Sequence, residues 1–139
     1  MQKMKNGLMM FCLTVLLSCA ALIMNTPTAS AMTLADLQGN YRIVSGYALG
    51  SSGTTLSLAM ENGELIARVK KPSSGVDWNP GDVFMKDVYV DRGTIYCKAL
   101  VMSSSYSDLV MVVSSNGSTL ELYHGKPSSI NGMYELHRM

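Results

Sequence analysis

The residues best suited to chemistry in this chain carry sulfur. Met60, Met85, Met102, Met111 and Met133, with Cys97, spread soft, polarizable side chains over the region after residue 31. Such side chains can join a histidine in a copper(I) site, or line an adaptable apolar cavity. The spacing argues against metal, because that region holds no Met-x-Met or Met-x-x-Met cluster, and isolated methionines on strands ordinarily fill a core. Cys97 shares a strand face with Ile95, Ala99 and Val101. A reactive thiolate needs exposure and a nearby base, and nothing in the sequence brings His124 or His137 beside it, so a buried, inert thiol is expected. The two histidines have no carboxylate at zinc-ligand spacing. No Gly-x-Ser-x-Gly elbow occurs, and Asp77 and Asp82 do not fit the EF-hand pattern. The expectation is a protein that is not an enzyme and uses no metal or cofactor.

Aromatic residues offer binding rather than catalysis. The only tryptophan, Trp78, lies in the loop Gly75-Val76-Asp77-Trp78-Asn79-Pro80-Gly81-Asp82. Braced by proline and glycine, it could anchor a ligand or partner at a rim, or fold back as a plug. Tyr47, Tyr96, Tyr106 and Tyr123 could line the same rim. With Met60 and Met111, Trp78, Tyr47 and Tyr96 form the candidate ligand-binding set.

The elements that position these residues begin after a leader. Met1 to Gly7 carries Lys3 and Lys5 and no acid, an apolar run extends from Leu8 to Met24, and Pro27 precedes Ala29-Ser30-Ala31. That is the layout of a secretory signal peptide cut after Ala31. Residues 1–31 are therefore expected to be removed, and residues 32–139 to form one exported domain, periplasmic or secreted. A retained membrane anchor is the bland alternative, since the apolar run is near the short limit for spanning. Leu16-Leu17-Ser18-Cys19 also resembles a lipobox, which would leave a lipoprotein anchored at Cys19.

Without the leader, nine Lys/Arg face ten Asp/Glu, so a formal charge of +1 becomes −1. That balance gives no electrostatic reason to expect nucleic acid or an anionic membrane as partner. Cys97 becomes the sole cysteine, which excludes an internal disulfide, and stability must come from packing.

Thr33 to Leu37 can form one helical turn. From Gly39 on, short apolar segments alternate with turns, and no helical period is sustained. Strands are expected from Gly39, around Leu56–Met60 and Leu65–Val69, over Val83–Asp91 and Ile95–Met102, around Leu109–Val113 and Leu120–Tyr123, and over Met133–His137. On the first, Tyr41, Ile43 and Ser45 share a face. Asn62-Gly63 suits a type I′ hairpin turn. Two prolines keep Lys71–Asp82 out of any strand interior. Ile95–Met102 is apolar on both faces apart from Lys98. About eight antiparallel strands in sequence order predict an all-β, up-and-down barrel, with a two-layer β-sandwich as the alternative.

At Leu37-Gln38-Gly39-Asn40-Tyr41-Arg42-Ile43 the chain resembles the opening of lipocalin-like and other calycin barrels, and Gly132-Met133-Tyr134-Glu135-Leu136-His137-Arg138 resembles their last strand. The resemblance implies that Tyr41 caps a closed barrel end with Arg138 lying across it. It also implies an extracytoplasmic carrier of a small apolar or amphipathic molecule, or a protein-binding barrel, and no catalytic residues. Two functions follow as expectations: a hollow carrier, or a filled barrel that binds or inhibits a protein through its loops. If Leu56, Leu58, Met60, Ile95 and Met111 all point inward, they would fill so small a barrel.

Overall fold

The computed structural model describes residues 32–102 and 104–139. The leader, with Ala29, Ala31 and Cys19, lies outside the described residues. No helix among those described is long and apolar enough to cross a membrane.

A 3-10 turn over Leu34–Leu37 leads into eight strands: β1 (Gly39–Gly46), β2 (Thr55–Glu61), β3 (Glu64–Lys71), β4 (Val83–Asp91), β5 (Thr94–Leu100), β6 (Tyr106–Val113), β7 (Thr119–Tyr123) and β8 (Gly132–Arg138). Each pairs antiparallel with its sequence neighbours, and β8 returns to β1, so the sheet closes into a barrel in the order β1 to β8. The closing register sets Tyr41 opposite Arg138, Arg42 opposite His137 and Ile43 opposite Leu136. Closure pairs both edges of the sheet, which a sandwich would leave free.

Alternation along the strands builds the core. Tyr41 and Ile43, Leu56 and Leu58, Leu65, Ala67 and Val69, Met85, Cys97 and Ala99, Leu109 and Met111, Leu120 and Leu122, and Tyr134 and Leu136 are all buried in one cluster. A void wide enough for water would leave accessible surface on the side chains lining it. Leu56, Leu65, Ala67, Met85, Ala99, Leu120, Leu122 and Leu136 have 0% exposure, so the interior is filled by side chains. An eight-stranded barrel has room for that or for one small ligand.

One departure from simple alternation matters for the outside. The register of β1 against β8 slips between Ile43 and Ser45, a bulge that adds one residue to β1. Ser45, expected on the Tyr41–Ile43 face, is exposed opposite Glu135, and Gly46 takes the inward place opposite Tyr134. The bulge thereby turns Tyr47 outward.

The two ends of the barrel differ. At one, the turns are short: Asn62 and Gly63 have φ of 52° and 82°, and Arg92 and Gly93 have 51° and 80°, the left-handed pairs of type I′ hairpins. Here Tyr41 donates its hydroxyl to the Leu37 carbonyl at 2.8 Å. The Arg138 guanidinium lies 4.9 Å from the Tyr41 ring centre and donates to the Gln38 and Asp36 carbonyls at 2.8 and 3.2 Å. At the other end the loops 47–54, 72–82 and 124–131 gather. Two of them touch backbone to backbone: a Cβ on Gly75 would fall 2.8 Å from Gly50 Cα, so only glycine fits this crossing. Ser73 ties the same loops by accepting from Thr54 and donating to the Gly50 carbonyl.

Candidate functional site

Most of the candidate residues serve the interior. Trp78 is 4% exposed and meets Phe84 edge-on at 5.6 Å, and Phe84 in turn meets Tyr134 at 5.0 Å. The tryptophan is thus a plug of the long-loop end and not an open anchor, because its large apolar ring finds more contact over the core than in solvent. Met111 is 3% exposed and packs inside, and Met60 and Ile95 are half-buried against the core. Cys97 is 2% exposed, and burial, reinforced by Asp108, pushes its thiol pKa up to about 12. The thiol stays protonated and inert at neutral pH.

The remaining chemistry-bearing groups stand apart. No three His, Cys, Asp or Glu side chains come together at metal-binding distance among the described residues. His124 is exposed in the loop 124–131, and His137 Nε2 contacts Glu135 Oε2 at 2.6 Å. Asp82 accepts from the Asn79 amide at 2.8 Å and so closes a turn of the Trp78 loop.

Tyr47 and Tyr96 instead belong to a feature of the outer wall. The strand registers place Tyr89 opposite Tyr96, Tyr96 opposite Val110, Val110 opposite Tyr123, and Tyr123 opposite Gly132. Their neighbours Cys97, Leu109, Met111 and Leu122 point inward, so this row points out. Tyr89 is 55% exposed and stacks on half-buried Tyr96 at 5.2 Å. At about 4.8 Å per strand, the four steps from β4 to β8 give a band roughly 19 Å long. Tyr47 extends it past β8, where its amide donates to the Met133 carbonyl at 2.7 Å.

At that end the band deepens into a cleft of about 330 Å³, lined by Ser45, Gly46, Tyr47, Glu121, Tyr123, Gly132, Met133, Tyr134 and Glu135. The β1 bulge supplies Ser45 and Tyr47, and a second register shift, at Leu122 and Tyr123, leaves Met133 with no opposite residue on β7. Glu121 and Glu135 stand directly opposite each other on β7 and β8. Tyr123 donates its hydroxyl to Glu121 at 2.9 Å, and this bond raises the tyrosine pKa. Chemically, the cleft offers aromatic faces, a thioether and two carboxylates.

Glu121, Glu135, Tyr89 and Val110 were not candidates from sequence alone. Only Val110 had a signal, the double-sided apolar character of β6 that β5 shares. In a closed barrel one face of every strand looks outward, so such strands must expose apolar groups. No family model, curated protein or solved structure matches the chain.

Proposed function

We propose that the chain is an exported, non-enzymatic binding module, a filled barrel that engages a protein partner along the Tyr89–Tyr47 band of its outer wall. One observation carries this reading: the inward side chains are almost wholly buried against one another, while an apolar, tyrosine-rich band faces outward. Tyrosine is enriched in protein interfaces, and contiguous exposed apolar patches mark interaction sites on soluble proteins. Export rests on the leader, whose lysines, apolar run and Ala29-Ser30-Ala31 ending direct residues 32–139 to the periplasm or medium. A lipocalin-type carrier would have to displace Trp78 and part of the core to admit its ligand. The second reading keeps a small amphipathic ligand but places it in the outer cleft, whose volume falls at the low end for small-molecule sites.

Photo-cross-linking in the producing cell tests both readings. Benzoylphenylalanine is placed in turn at Tyr47, Tyr89 and Tyr96 on the band, and at Lys70 on β3 as control. The proposal expects one protein adduct shared by the band positions and missing at Lys70. A small-mass adduct at Tyr47 alone would favour the cleft ligand, and equal adducts at all four positions would refute a specific wall site.

A further inference from the structure

The cleft beside Tyr47 has an electrostatic feature that the fold itself does not use. Like charges set directly opposite on neighbouring strands destabilise a sheet. Three such pairs occur along the strands: Glu61 opposite Glu64, Lys86 opposite Lys98, and Glu121 opposite Glu135. The chain relieves the first two by its own means: Arg68 donates to both carboxylate oxygens of Glu61 at 2.8 and 2.9 Å. Lys98 pairs with Asp108 at 2.6 Å, and the Lys86 ammonium lies 4.3 Å from the centre of the Tyr106 ring. The third is left without a permanent cation. Glu121 accepts only from the neutral Tyr123 hydroxyl, and Glu135 contacts His137. Among the described residues no lysine or arginine lies within ion-pair distance of either carboxylate.

We infer that this cleft receives a basic side chain, lysine or arginine, of the protein partner, with its cationic head between Glu121 and Glu135 and its aliphatic stem against Tyr47, Tyr123 and Met133. The inference rests on the reading of the band as a protein-binding surface, and it names the chemistry at one end. Two carboxylates supply charge complementarity, and tyrosine faces attract cations. The stem of a lysine or arginine covers apolar surface while its charged head reaches polar groups. Gly132 and Ser45 bring no bulky side chain to the lining, and Gly46 brings only backbone.

The test is an NMR titration of residues 32–139, which contain every strand and the whole core. The probe is N-acetyl-lysine methylamide, with N-acetyl-norleucine methylamide as its uncharged counterpart. The lysine probe is expected to shift the amides of Tyr47, Glu121, Tyr123 and Glu135 selectively. It should bind at least about fivefold more tightly than norleucine, an electrostatic contribution of about 1 kcal/mol. Glu121→Gln and Glu135→Gln should each remove most of that difference while the thermal midpoint holds or rises. Equal binding of the two probes, or variants that keep the preference, would overturn the inference. Cross-linking separates its failure from that of the module reading. A partner adduct at Tyr89 and Tyr96 that survives both glutamine variants leaves the module and removes the basic anchor. Loss of any specific band adduct in the unmodified chain removes the module itself.

Discussion

At the scale of single residues, the interior holds groups whose neutral forms it stabilises. Burial pushes the Tyr134 phenol up to about 12, raises Tyr41 against the opposing effect of Arg138, and raises the Cys97 thiol to about 12 from an ordinary value of 9.0. Each group binds its proton more tightly folded than unfolded. Its contribution is therefore complete below the unfolded pKa and is lost as pH rises toward the folded one. Stability should hold to about pH 9 and then fall, by about 1.4 kcal/mol per pH unit for each group in its window. Urea denaturation from pH 7 to 11 checks this, and Cys97→Ala should delay the onset to about pH 10, where the phenols begin to ionise in the unfolded chain. Ser51 presents the opposite case. Its hydroxyl is buried at 1% exposure with no hydrogen-bond partner. An unsatisfied buried hydroxyl costs about 1–3 kcal/mol, so Ser51→Ala should hold or raise the denaturation midpoint. Trp78→Ala, which removes the plug, should cost about 3–5 kcal/mol, and the native protein should show the blue-shifted emission of a buried indole.

At the scale of elements, strands and turns were legible where local chemistry sets them. Asn62-Gly63 takes the left-handed pair of a type I′ turn, as expected from the two residue types. Arg92-Gly93 takes the same geometry with a residue poorly suited to it, since positive φ favours Asn over long side chains. Arg92→Asn should therefore stabilise the hairpin by about 0.5–1 kcal/mol, measurable as a higher thermal midpoint. The bulges of β1 and of β8 had no such signal. Val44-Ser45 and Met133 look like ordinary strand residues, and only closure against a neighbouring strand decides where an extra residue is accommodated. The outer band was hidden for a related reason. Tyr89, Tyr96, Val110 and Tyr123 are far apart in sequence, and their alignment depends on inter-strand register, which a single strand's pattern does not contain. The direction of Trp78 was equally undetermined: proline and glycine mark the loop, but not the side of it that covers the core.

At the scale of the whole molecule, closure and filling together locate any binding activity. A closed barrel offers no free edge to an added strand, and side chains occupy its centre. The outer wall and the loop end remain, and the wall carries both the aromatic band and the cleft with its opposed glutamates. Alternation in the sequence led correctly to an eight-stranded up-and-down barrel, but whether its interior was hollow or filled depended on side chains meeting across the barrel axis. Native mass spectrometry of residues 32–139, purified from the producing cells' envelope or medium, tests this account most directly. The account predicts a bare protein mass, together with a protein complex that disappears when Tyr89 and Tyr96 are replaced by serine. A stoichiometric apolar molecule that stays bound after Tyr47 and Tyr123 are replaced by serine would place a ligand inside the barrel and contradict it.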